Sequence, residues 1–198
     1  MAKVLVFDLE TRLGPKDLRP DDEQAGWEAL RRGEGGISAI CIYDVDQKWL
    51  YMYDDLSIEK AARHLEAADV LIGYNTESFD IPCLEGVLGR KLRIKQHYDI
   101  YTEIKIVNAR KGIIGRKGDF TLGTVGHRCL GRGKSEHGGN VTELLRKGMV
   151  ADVFNYCGQD VKLTYDLMLY ICEHGGIQSI NNSFLAVPVA DWLKKAML

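Results

Sequence analysis

The chain opens on Val4-Leu5-Val6-Phe7-Asp8-Leu9-Glu10, which is apolar on both faces until its acidic end. Such a run predicts a central strand covered on both sides. Residues 12–36 are polar, charged and punctuated by glycine, with a short helical patch around Trp27 and Leu30. Ile37 to Tyr43 and Lys48 to Tyr53 predict a hairpin turning at Asp44 to Gln47. Ser57 is placed to cap a helix whose apolar positions, Ile58, Ala61, Ala62 and Leu65, follow helical spacing. Val70-Leu71-Ile72-Gly73-Tyr74 predicts a second buried strand, and Asp80-Ile81-Pro82 opens a helix ending near Gly89. His97 to Ile100 is a candidate short strand, and Thr121 caps a helix closed by Gly131. The longest helix is expected over Ala151 to His174, with Val153, Cys157, Val161, Thr164, Met168 and Ile171 on one stripe. Trp192 and Leu193 would dock the C-terminal tail. This order predicts an α/β domain with a mixed sheet.

Composition narrows the class. The chain has 198 residues, 45% of them apolar, enough for one ordinary domain and too apolar for disorder. Its longest apolar runs, such as Phe184 to Ala190, are far short of a membrane span, and no signal-peptide core follows Met1. The five cysteines are odd in number and widely spaced without a C-x-x-C pair. They read as buried reduced thiols in a cytoplasmic protein that makes no use of membranes.

The net charge of −2 hides an asymmetry. Residues 1–88 carry 9 basic and 18 acidic side chains, whereas residues 89–134 carry 12 and 3. The basic third has two clusters, Arg90-Lys91-x-Arg93-x-Lys95 and Lys105 through Arg110-Lys111 to Arg116-Lys117. Glycines at 112, 115 and 118 make the second read as a mobile loop facing a polyanion; the plainer alternative is a solvated loop.

Asp8 and Glu10 lie two apart at a strand end, so both carboxylates share a face at the edge where open α/β sheets hold ligands. Two like charges together cost stability unless a cation or shared proton relieves them. Asp80 follows Asn75-Thr76-Glu77-Ser78-Phe79 at a strand-to-helix turn, where it could equally be an N-cap. Asp160 lies inside the long helix, where Asp has poor propensity, one turn after Tyr156. Gly133-Lys134-Ser135 invites a P-loop reading, but Arg128 stands where its first glycine belongs. His127, Cys129 and His137 match no standard zinc spacing.

Taken in order, Asp8-x-Glu10, Asn75-x4-Asp80 and Tyr156-x3-Asp160 resemble the DEDD superfamily of 3′–5′ exonucleases in its tyrosine variant, DEDDy. The resemblance covers residues 4–174 and is nearest to stand-alone domains akin to the exonuclease domains of family B DNA polymerases. It implies a ribonuclease H-like fold, a five-stranded mixed sheet whose second strand is antiparallel, flanked by helices. A single domain would then span 1–198, with 175–198 as a tail packed on its body. The implied activity is hydrolysis of phosphodiester bonds from a free 3′ end, releasing nucleoside 5′-monophosphates from nucleic acid, single-stranded and DNA in preference to RNA. It also implies two divalent cations, Mg²⁺ or Mn²⁺, held by Asp8, Glu10, Asp80 and Asp160, four oxygen donors whose charge two dications would neutralise. Tyr156, a poor base at neutral pH, would orient the attacking water. Leu9, Thr11, Asn75 and Phe79 are implied around the terminal nucleotide. Arg110, Lys111, Arg116, Lys117 and Lys134 are candidate phosphate contacts.

Two alternatives stand beside this reading. Asp8-Leu9-Glu10-Thr11 approaches the D-x-D-x-T of haloacid-dehalogenase-type phosphatases, with Glu10 where the second Asp belongs. A non-catalytic single-strand-binding module of the same fold is the other.

Overall fold

The computed structural model describes residues 2–116, 118–133, 141–180 and 183–198. Five strands form one mixed sheet in the order β3-β2-β1-β4-β5. They are β1 (Val4–Thr11), β2 (Ile37–Asp44), β3 (Trp49–Tyr53), β4 (Val70–Gly73) and β5 (His97–Asp99). β2 runs antiparallel to both β1 and β3, whereas β4 and β5 run parallel with β1. The helices flank this sheet, giving the α/β, ribonuclease H-like architecture expected from the sequence.

Alternation along β1 assigns its side chains to two cores. Leu5, Phe7 and Leu9 enter one apolar cluster and Val4 and Val6 the other. Asp8 and Glu10 share the parity of Val4 and Val6, so they continue that second face at the strand end. The face is covered by α8 (Val150–His174), whose expected stripe is buried from Val153 through Ile171. The opposite face carries α2 (Glu23–Arg31), α3 (Ile58–Glu66) and α4 (Asp80–Leu88). α4 packs closely on the turn that ends α2: a Cβ on Gly86 would lie 2.5 Å from the Gly33 nitrogen, too near for any side chain.

Several expectations need correction. Residues 12–36 hold α1 (Pro15–Leu18) as well as α2, and Thr142 of α7 (Val141–Arg146) donates through Oγ1 to Asp17 at 3.0 Å. Ser57 stands at the N-cap of α3 but its side chain makes no cap hydrogen bond, whereas Thr121 caps α6 (Leu122–Leu130) as expected. Residues 105–111 are not part of a loop: they belong to α5 (Ile100–Lys111), which closes on Gly112 with φ +65°. Glycine at that stop permits a left-handed turn, so glycine spacing that looked like a flexible loop marks a helix end.

The segment after α8 forms a hairpin, β6 (Gly176–Gln178) with β7 (Phe184–Ala186), followed by α9 (Asp191–Met197). Ile177, Leu185, Leu193 and Met197 join the core under α8. Leu193 therefore docks the tail, but Trp192 is 45% exposed and does not. All five cysteines are free thiols, four buried and Cys129 half-buried. Among the described residues no helix is long and apolar enough to cross a membrane.

Candidate metal centre and adjoining cleft

Three carboxylates converge where the end of β1 meets the middle of α8. Asp8, Glu10 and Asp160 each offer an oxygen, and the three atoms lie within 4.8 Å of one another. Asp8 and Glu10 are half-buried, whereas Asp160 is 2% exposed and sits among the apolar residues of α8. Contact between helix and strand is fixed by the Cys157 thiol, which donates to the Asp8 carbonyl at 3.3 Å. Burial pushes that thiol well above its ordinary range, so it serves as a neutral donor. Three oxygen donors at this spacing suit a hard divalent cation, and a buried like-charge cluster is costly without one. The donor set is one that oxygen-seeking divalent metals share.

Asp80 enters from the opposite side of the sheet edge and lies outside this triad. It is buried at the start of α4, and its Oδ1 accepts the Leu9 amide at 3.0 Å. A backbone link between the two acidic positions of β1 thus ties α4 to the strand. Tyr156 is half-buried on α8, one turn before Asp160.

The turn from β4 into α4 is organised by a carboxylate that sequence reasoning missed. Asp99, at the end of β5 and 4% exposed, accepts three backbone amides: Asn75 at 2.9 Å, Glu77 at 2.8 Å and Thr102 at 3.1 Å. It therefore caps α5 and clamps the turn that carries Asn75, which has a left-handed φ of +65°. Beside it, His97 shares a hydrogen bond with the Thr76 hydroxyl at 2.9 Å. Burial lowers the His97 pKa, opposed by Asp99 and Glu77. Gly73 precedes this turn because any Cβ there would meet Thr76 Oγ1 at 2.2 Å. The available signal was position: Asp99 ends a strand at the same carboxyl edge as Asp8.

A cleft of about 710 Å³ runs from Asp8 along α5. Tyr74, Asn75, Tyr101, Asn108, Arg116 and Phe120 line it. Tyr74 and Tyr101 lie 5.7 Å apart with planes tilted by 31°, and the Tyr74 hydroxyl donates to the Phe120 carbonyl. Lys105 places its ammonium 4.7 Å from the Tyr101 ring centroid.

Of the other candidate contacts, Asn75 and Arg116 reach this cleft. Leu9 does not present its side chain there; it is buried in the opposite core. Thr11 donates through Oγ1 to the Leu13 carbonyl at 2.9 Å, and Phe79 packs edge-on against Trp27 with centroids 5.4 Å apart. Arg110 and Lys111 are exposed on the last turn of α5. Lys117 and Lys134 lie outside the described residues, as do Ser135 and His137.

The first basic cluster is not an open cationic face. Arg90 pairs with Glu59 and Glu66, Lys91 with Glu85, and Lys95 with Asp69. These pairs neutralise acids on α3, α4 and the approach to β4, whereas Lys105 and Arg116 are the cationic side chains that line the cleft.

No family model matches this chain, and no curated protein does either. Among solved structures, the fold is similar to the family B DNA polymerase from the hyperthermophilic archaeon Pyrobaculum calidifontis, with a TM-score of 0.60 and 18% identity. That match covers 86% of this chain and 24% of the polymerase, so the chain spans about a quarter of that protein's length. At this identity the likeness establishes a shared fold.

Proposed function

We propose that this chain is a metal-dependent 3′–5′ exonuclease of the DEDDy type, acting as one domain on nucleic acid with a free, single-stranded 3′ end. The observation that carries the proposal is the convergence of Asp8, Glu10 and Asp160 oxygens within 4.8 Å at a sheet edge. A cleft with an aromatic wall and a cationic rim, leading from Asp8, supports it.

Asp8, Glu10 and Asp160 would hold two divalent cations, Mg²⁺ or Mn²⁺, with Asp80 adjoining them. When bound, such ions activate water and neutralise charge on the scissile phosphate and leaving oxygen. The protein's own part is orientation. Asp80 secures the strand that carries Asp8 and Glu10 through the Leu9 amide, keeping both side chains on the α8 face. Tyr156, one turn from Asp160, directs its hydroxyl toward the attacking water as a hydrogen-bond partner, not as a base. Asn75 and Arg116 hold the terminal nucleotide and its phosphate in the cleft.

The test uses 3′-labelled and 5′-labelled DNA and RNA strands incubated with Mg²⁺, Mn²⁺ or EDTA. A metal-dependent ladder shrinking from the 3′ end is expected, abolished by Asp8→Ala and by Asp160→Ala while strand binding is retained. Retained hydrolysis in both variants overturns the proposal. Binding without laddering in any metal selects a non-catalytic strand-binding module instead.

A further inference from the structure

Helix α5 places an amide where its own packing calls for a hydrocarbon. Its inward positions are Ile100, Ile104, Val107 and Asn108, and Asn108 is only 7% exposed. Asn is a poor helix former, and a buried amide is unfavourable unless its polar atoms are matched. The Asn108 Oδ1 is buried and has no hydrogen-bond partner among the described residues. It is not on an indifferent surface: Asn108 lines the cleft that begins at Asp8. The same helix, two turns earlier, supplies Tyr101, whose ring pairs with Tyr74 and is covered by the Lys105 ammonium.

We infer that Asn108 is a specificity-determining residue that reads a nucleobase through its unmatched amide while the base lies along the Tyr74–Tyr101 wall. The chemistry of the ligand follows from the parts. A flat ring system suits the tilted tyrosine pair, because base–aromatic stacking tolerates any base. A carbonyl acceptor without a partner of its own then asks for an N–H donor on that ring. Asn meets adenine especially well, pairing its two amide atoms with N6 and N7. Arg116 supplies a cation for the attached phosphate, and Asp8 marks the end where the sugar–phosphate link would lie. A phosphate or a sugar phosphate alone would leave both the aromatic wall and Asn108 unused.

The inference deepens the proposed nuclease activity and rests on that reading for the orientation of the ligand, but base recognition is measurable without turnover. Calorimetric titration of the intact protein in Mg²⁺ compares three ligands: deoxyadenosine 5′-monophosphate, its analogue lacking the 6-amino group, and deoxyribose 5-phosphate. Affinity is expected to fall about tenfold on loss of the amino group, the usual worth of one hydrogen bond, and further on loss of the base. Asn108→Leu, with its melting temperature checked, is expected to bind the first two ligands equally. Equal binding of those two by the unaltered protein overturns the inference even if the variant fails to fold, as does discrimination that survives Asn108→Leu. Base-selective binding without hydrolysis would remove the nuclease proposal and leave this one. Hydrolysis with no base preference in the titrations would do the reverse.

Discussion

Replacing Asp160 by Asn is expected to stabilise the metal-free protein while destroying its response to metal. The three converging oxygens lie within 4.8 Å, at which distance two unit charges repel by roughly 3.5 kcal/mol at an effective dielectric of about 20. Asp8 and Glu10 are only half-buried, so solvent screening reduces this to about 1 kcal/mol per pair. Asp160 takes part in two such pairs, and Asn nearly preserves its shape, so Asp160→Asn relieves about 2 kcal/mol. For a chain of this length each kcal/mol moves the midpoint by about 2–4 °C, giving a rise of about 4–8 °C in EDTA. Saturating Mn²⁺ at about 100 times its dissociation constant should stabilise the original protein by about 2.7 kcal/mol. The variant should lose most of that gain. Scanning calorimetry with EDTA and with Mn²⁺ reads both effects. A variant that melts below the original protein in EDTA, or keeps the full Mn²⁺ shift, refutes the reasoning.

Asp99→Ala is expected to cost about 3–5 kcal/mol in urea unfolding, because three amides lose their acceptor, whereas Asp99→Asn, which keeps one acceptor oxygen, should cost less. A cost under about 1 kcal/mol for the alanine variant would deny Asp99 its clamping role. Burial holds the His97 pKa below its ordinary 6.5, so the unfolded chain takes up a proton that the folded chain resists. Stability from this source is present above about pH 6.5 and is lost as pH falls through the folded value. Urea midpoints across that window should decline more steeply for the original protein than for His97→Asn; identical slopes would exclude His97 as the source, leaving His64, which burial shifts in the same direction.

Much of this molecule was legible from local pattern. Period-two alternation in β1 set Asp8 and Glu10 on one face, and the stripe on α8 fixed which side of that helix is buried. Hairpin, helix stops and the Thr121 cap were likewise local matters, governed by turn geometry and by hydrogen bonds a few residues long. The basic third was legible only as composition. Its first cluster proved to be matched to acids from 6 to 31 residues earlier on α3, α4 and the β4 approach, a set of pairings no single spacing rule reveals.

What the chain alone determined, then, is the five strands of the main sheet, helices α2, α3, α4, α6 and α8, and the placing of Asp8, Glu10 and Asp80 at element ends, because those follow from short-range sterics and burial periodicity. Tertiary structure decided the rest. Only the crossing of α8 over β1 brings Asp160 to Asp8 and Glu10, and only the parallel register of β4 with β5 lets Asp99 seize the turn beneath Asn75. It also set Asn108 along the cleft. Such meetings depend on long-range packing of whole elements, where hydrophobic burial chooses the arrangement and the polar groups are carried along with it.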